Sequence, residues 1–242
     1  MSRRSTHSAK PDTLVCTLPE PWLYRAGRRG DAITDLRFIE ARLRTNPSLH
    51  HIHIADSVRS AETLLSHAGI TRSSRALRVL DLTSSDGIRV ALARFHGHHA
   101  VGMDAADRLR QNISTALGVH PLRYALAAQM PLPTALRPRQ CRFDVALAYL
   151  PKWTFDDMSD WEYLLRDVAC HHMAHNATIH LELPIAAIMD HPNGLKALAT
   201  RFGHLHRIRS YAASGRLSPA ADIHASFSNL QPFRSDCRHL LR

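Results

Sequence analysis

The segment that decides the fold is LRVLDLTSSDGIRVALARFHGHHAVGMD, which runs from Leu77 to Asp104. It opens with a short apolar run that ends at Asp81, and a turn of small residues follows up to Gly87. Apolar residues then recur at helical spacing, and His99–Asp104 is a second apolar run that also ends in an acid. This order of strand, turn, helix and strand predicts one unit of a parallel sheet, because parallel strands need a crossover connection.

The same alternation continues to the end of the chain. Five more strands are predicted, at residues 121–126, 143–150, 177–183, 206–213 and 223–227. Helical patterns lie between several of them, at residues 109–117, 161–168 and 195–205. Alternating strands and helices indicate an α/β fold whose mostly parallel sheet has helices on both faces. Such a sheet leaves a binding crevice at the carboxyl ends of its strands.

Three regions are predicted along the chain. Residues 1–12 lack apolar periodicity and are predicted to be a disordered tail. Residues 13–70 carry two helical patterns, around Ile33–Leu43 and Val58–Ala68, and are predicted to form an N-terminal helical extension or lid. Residues 71–242 are predicted to form the α/β domain.

Composition narrows the class of protein. The chain has 242 residues, of which 45% are hydrophobic, enough for the core of one α/β domain. Its formal net charge is +10, but the arginines are spread along the chain. A nucleic-acid partner is therefore possible but not expected. No apolar run reaches the length of a membrane span, so no membrane partner is expected, and the oligomeric state stays open.

The cysteines and the N-terminus indicate a cytoplasmic location. The cysteines are far apart in sequence, at Cys16, Cys141, Cys170 and Cys237, and form neither a metal-type pair nor a dense disulfide framework. Residues 1–11 are polar and basic, without the apolar region of a secretion signal.

The loop after the first strand has the chemistry of a ligand site. Its small residues let a ligand approach the backbone closely, and the helix beginning near Gly87 offers amide groups to an anion such as a carboxylate. Asp104 ends the second strand, where a carboxylate can accept hydrogen bonds from both hydroxyls of a ribose.

In these features the chain resembles the class I S-adenosylmethionine-dependent methyltransferases. The family's first motif is an acid, an apolar residue and then G-x-G-x-G, which here reads Asp81-Leu82-Thr83-Ser84-Ser85-Asp86-Gly87 and keeps only the last glycine. The family's ribose-binding acid matches Asp104, and Arg142–Ala148 is similar to its fourth strand. The resemblance covers residues 76–227 and implies a Rossmann-like, seven-stranded, mostly parallel sheet.

The resemblance also implies the cofactor and its contacts. The cofactor is S-adenosylmethionine, and the matching cofactor-binding positions are Asp81, Thr83, Ser84, Ser85, Gly87, Asp104, Gln129 and Tyr149. Residues after the fourth strand line the methyl-transfer pocket in the family, which makes Tyr149 and Trp153 the candidate substrate contacts here.

A general base would assist transfer to a hydroxyl or an acidic carbon. His171 and His172 are the catalytic candidates, although His172 lies on the apolar side of its predicted helix and is also expected to be a packed core histidine. His171 and His175 have a metal-capable spacing, but nothing supplies a third ligand, so no metal is expected.

The sequence therefore predicts a methyltransferase acting on a hydroxyl or carbon of a small molecule. A catalytically degenerate binding or scaffold protein on the same fold is an alternative, because two motif glycines are missing. An RNA methyltransferase is a second alternative, and a nicotinamide-dependent dehydrogenase is a weaker one because its G-x-G-x-x-G pattern is absent.

Overall fold

A computed structural model of the chain describes residues 35–49, 52–105, 107–136, 142–150, 157–184, 206–211, 222–228 and 230. Within these residues the helices are α1 (Asp35–Leu43), α2 (Ala55–His67), α3 (Ile88–Phe95), α4 (Arg108–Ala116) and α5 (Met158–Asp167). The strands are β1 (Arg78–Asp81), β2 (His99–Asp104), β3 (Leu122–Arg123), β4 (Phe143–Tyr149), β5 (Met173–Pro184), β6 (His206–Tyr211) and β7 (Asp222–Phe227).

The strands form one seven-stranded sheet in the order β3-β2-β1-β4-β5-β7-β6. The pairs from β3 to β5 are parallel, whereas β7 runs antiparallel to both β5 and β6. The predicted fold class is thereby confirmed. The chain leaves β1 toward β2 on one side and returns to β4 on the other, so β1 and β4 form a topological switch point.

Each face of the sheet has its own apolar core, because successive strand residues point to opposite faces. Leu80 and Ala146 belong to the core that includes Trp161 of α5. Val79 and Val145 belong to the core built with helices α1 to α4. Right-handed crossovers account for this division, since the connections from β1 to β3 and from β4 to β5 run in opposite directions across the sheet.

The N-terminal helices share a core with the sheet. Ile39 of α1 and Leu64 and Leu65 of α2 are fully buried in the same cluster as Val79 of β1. Gly69 ends α2 in a left-handed conformation with φ of 71°, as its sequence position predicts. This packing makes α2 a covering helix of the sheet; its role as a lid stays a prediction.

The helices and one cysteine bear on the expectations about membrane and location. No helix of the described residues combines the length and the apolar character needed to cross a membrane. Cys170 is disulfide-bonded, and the cytoplasmic location expected from the cysteine spacing stays a prediction. The predicted tail and the predicted helix at residues 195–205 lie outside the described residues.

Candidate functional site

The candidate site is the crevice at the carboxyl ends of β1, β2 and β4. Asp81 pairs in register with Gly102 of β2 and Leu147 of β4, so the loop after β1 leaves the sheet between the ends of its two neighbours. This loop runs from residue 82 to Gly87, which precedes α3 with φ of 80°.

The backbone amides of this loop are largely used inside the protein. The Thr83 amide donates to Oδ1 of Asp81 at 3.1 Å, and the Ser84 amide donates to the Met103 carbonyl at 2.8 Å. The Gly87 amide donates to the Ser84 carbonyl at 2.9 Å, and the Ile88 amide donates to Oδ1 of Asp86 at 3.1 Å. The predicted free amides at the start of α3 are therefore already committed at these positions.

Asp81 forms a buried ion pair with Arg89 of α3. Nε of Arg89 lies 2.8 Å from Oδ2 of Asp81, and Nη2 lies 3.3 Å from Oδ1. Nη2 of Arg89 also donates to the Thr83 carbonyl. Asp81 is 1% exposed, so its predicted contact with a cofactor does not fit this arrangement. Its carboxylate instead orients Arg89 and the start of the loop.

Thr83 joins the loop to the end of β4. Its Oγ1 accepts a hydrogen bond from the Tyr149 amide at 2.8 Å. A glycine, which the family motif has at this position, could not make this bond. The side chains of Thr83 and Tyr149 are both partly exposed at the crevice, and their contacts with a cofactor stay predictions.

Two other loop residues face the protein. Ser84 is fully buried, and a Cβ built on Gly102 would lie 2.4 Å from its Oγ, so the serine fits only because residue 102 is glycine. A Cβ built on Gly87 would lie 3.0 Å from Cβ of Ser114 and 3.2 Å from Cβ of Val119. Both positions therefore face packed protein on their side-chain side, and their predicted contacts with a cofactor stay predictions. Ser85 is partly exposed with φ of 55°, and its contact stays a prediction.

Asp104 is the carboxylate that remains open at the site. Its Oδ2 is buried, and no residue of the described chain donates a hydrogen bond to it. Burial raises the pKa of Asp104, while the Ala105 amide and the Arg110 guanidinium oppose that rise. Asp104 also lines a cavity of about 180 Å³ together with Gln111, Ser114, Thr115, Val119, His120, Pro121 and Arg123.

Two remaining predicted residues are Gln129, for the adenine, and Trp153, for the substrate pocket. Gln129 is an exposed turn residue with φ of 52°, and its contact with the adenine stays a prediction. Trp153 lies outside the described residues.

His171 and His172 do not fit a catalytic role in this crevice. Both directly precede β5, so they lie at the amino end of that strand, whereas the crevice lies at the carboxyl ends. His172 is also fully buried, and its Nδ1 lies 3.2 Å from the Leu136 carbonyl. The expectation of a packed core histidine is the one that the structure supports.

Polar residues that the sequence analysis missed lie beside the crevice on the α2 side of the sheet. Glu182 pairs in register with Tyr149 and His224 and is 1% exposed. Nδ1 of His180 lies 3.0 Å from Nε2 of His224. Nε2 of His180 lies 2.9 Å from Oγ1 of Thr178. The alternation of polar residues in ATIHLEL was the available signal, because residues two apart on a strand share a face.

Arg89 was missed as well. Arg89 is the second residue of α3, and only the tertiary structure shows that its side chain turns back onto Asp81. Within the part of the chain that the structure describes, no group of three or more histidine, cysteine, aspartate or glutamate side chains is arranged to hold a metal ion.

Comparison with solved structures finds the same architecture in the N-methyltransferase NodS from Bradyrhizobium japonicum WM9. Its complex with S-adenosyl-L-homocysteine gives a TM-score of 0.53 at 14% identity over 81% of this chain and 98% of that chain. A second NodS structure gives a TM-score of 0.51 at 13% identity over 72% of this chain and 96% of that chain. No family model and no curated protein matches the sequence. The chain therefore has the class I S-adenosylmethionine-dependent methyltransferase fold.

Proposed function

We propose that this chain binds S-adenosylmethionine in the crevice and transfers its methyl group to a hydroxyl or carbon atom of a small molecule. When bound, the cofactor supplies an electrophilic methyl group on a sulfonium. The residues of the chain then have to bind and orient the donor and the acceptor.

The observation that carries the proposal is the open carboxylate of Asp104. A buried carboxylate oxygen without a donor is costly, so its presence at the end of β2 favours a ligand that donates there. The hydroxyls of a ribose are donors of the required kind. The cavity beside Asp104 leaves space next to this position.

The position of Tyr149 supports an acceptor site at the end of β4. It ends β4 and is held through its amide by Thr83, so its partly exposed ring lies at the switch point of the sheet. An aromatic ring at this position offers a flat apolar surface to an acceptor or to the cofactor.

A catalytically degenerate binding protein remains the second candidate, and a specific observation favours it. Asp81 is bonded to Arg89, and four backbone amides between Thr83 and Ile88 already donate within the protein. Part of the loop therefore has no group left for a ligand. An RNA methyltransferase stays a third candidate without an observation of its own.

A labelling experiment distinguishes the three. The purified chain is incubated with methyl-labelled S-adenosylmethionine in three separate reactions. One contains a small-molecule cell extract, one contains total RNA and one contains no acceptor. Label in the small-molecule fraction, lost in the variant Asp104→Asn, is the expected result. Label in RNA would replace the proposed acceptor class, and cofactor binding without any transfer would favour the binding protein.

A further inference from the structure

The loop after β1 has little capacity to hold an anion with its backbone. The amides of Thr83, Ser84, Gly87 and Ile88 are used inside the protein. The two loop amides between them belong to Ser85 and Asp86, and the Asp86 carboxylate next to them repels an anion. Only these two loop amides are left for an anionic group, so a further donor beside the loop would strengthen its binding.

Arg89 is a cation that contacts this loop directly, because it donates a hydrogen bond to the Thr83 carbonyl. Its Nε and Nη2 bond to Asp81 and to the Thr83 carbonyl, which fixes the plane of the guanidinium. Nη1 makes no hydrogen bond to any residue that the structure describes. The side chain is 11% exposed, so it is held rigidly while a small part still reaches the surface.

The charge of this arginine is secured by its surroundings. Burial alone would lower the pKa of Arg89, but the charge and hydrogen bonds of Asp81, together with Asp86 and Glu182, raise it above the ordinary value. A guanidinium whose plane is fixed by one carboxylate is prepared to bind a second one with little loss of side-chain entropy.

We propose that Arg89 is the specificity-determining residue that binds the carboxylate of an amino-acid group attached to the nucleoside, in place of the loop amides that are already used inside the protein. The inference rests on the proposed function, since S-adenosylmethionine carries such a carboxylate. Asp81 is then a positioning residue that acts through Arg89. The crevice selects nucleosides that carry a carboxylate over those that end in a short neutral chain.

Two ligands that differ in this group test the inference. S-adenosyl-L-homocysteine has the amino-acid group, and 5′-methylthioadenosine ends in a methyl thioether instead. Their affinities are measured by calorimetry for the wild-type chain and for Arg89→Met. The expected result is a loss of at least about tenfold for S-adenosyl-L-homocysteine, the size of one hydrogen bond to a charged group, with less than about twofold change for 5′-methylthioadenosine.

Because Arg89→Met leaves the buried Asp81 without its cation, the double variant Asp81→Asn, Arg89→Gln is measured as well. This variant replaces both charges by neutral polar groups, so no unpaired charge stays buried, and the same selective loss is expected from it. Arg78→Met is the matched control. Arg78 forms an ion pair with Asp144 at the amino end of β1, with Nε at 3.1 Å from Oδ2, far from the crevice along the strand.

The outcomes separate this inference from the proposed function. Equal affinity of the folded Arg89 variants and the wild type for S-adenosyl-L-homocysteine would overturn the role of Arg89 and leave the proposed function standing. A parallel loss for both ligands would also overturn it, since the arginine would then only support the fold of the site. Absence of binding of either ligand by the folded wild type would overturn the proposed function and this inference together.

Discussion

Oγ1 of Thr83 lies 2.8 Å from the amide nitrogen of Tyr149 and so joins the loop after β1 to the end of β4. The bond spans the switch point of the sheet, where the crevice begins. A residue that departs from the glycine-rich motif thus has a structural role of its own.

The variant Thr83→Val should lower the free energy of unfolding by about 1–3 kcal/mol, because it keeps the shape of the side chain and leaves the Tyr149 amide without its acceptor. Denaturant titration measures this difference. Thr83→Ser retains the hydroxyl and is the control. Equal stability of the valine variant and the wild type would show that water replaces the bond.

Gly87→Ala should destabilise the domain more than Gly97→Ala does. Both glycines have a positive φ, 80° and 88°, so both substitutions carry a similar backbone strain of about 1 kcal/mol. A Cβ at position 87 would also lie 3.0 Å from Cβ of Ser114, whereas a Cβ at position 97 meets nothing within 4 Å. Thermal unfolding of the two variants measures the difference. A larger loss for Gly97→Ala would contradict this account of the packing.

Asp104→Asn should weaken the binding of S-adenosyl-L-homocysteine by about tenfold or more, because it removes the charge from the acceptor proposed for the ribose hydroxyls. Calorimetric titration gives the affinity. Asp107→Asn is the control, since Asp107 is an exposed acid three residues away that caps α4 by accepting a hydrogen bond from the Arg110 amide. An equal loss in both variants would mean that only the general charge of the region matters.

The buried histidines should make the fold sensitive to acid. Burial, followed by the nearby His224 and His67, lowers the pKa of His180 to about 3 from 6.5. The unfolded chain therefore binds a proton at a pH where the folded chain does not, so stability is complete above pH 6.5 and falls as the pH drops toward 3. The slope from this group is at most about 1.4 kcal/mol per pH unit.

Stability measured by denaturant titration between pH 7 and pH 4 tests this sensitivity. His180→Gln should flatten the dependence, while His53→Gln, at an exposed position, should leave it unchanged. An unaltered slope in His180→Gln would assign the acid sensitivity to other groups.

The sequence predicted the elements of the sheet well because their apolar runs are short and bounded by turns. His99–Asp104 was predicted with the bounds that the structure has, and β4 differs by one residue. These strands are buried on both faces, so their composition reflects their environment directly.

The site was harder to predict because it depends on where side chains turn. Asp81 and Ser84 occupy motif positions, yet both side chains are buried. Arg89 binds the Asp81 carboxylate, and the absence of a side chain at Gly102 leaves the space that Ser84 fills. Neither partner is part of the motif, and their contacts arise from tertiary packing. His171 and His172 were chosen for their chemistry alone, and the structure shows that they directly precede β5 and so lie at the amino end of that strand.

The measurement that tests the central claim most directly is a calorimetric titration of the folded wild-type chain with S-adenosyl-L-homocysteine at neutral pH. The account predicts a single site with a micromolar dissociation constant, lost in large part in Asp104→Asn. No heat of binding, with the chain shown to be folded by circular dichroism and a cooperative thermal transition, would contradict it.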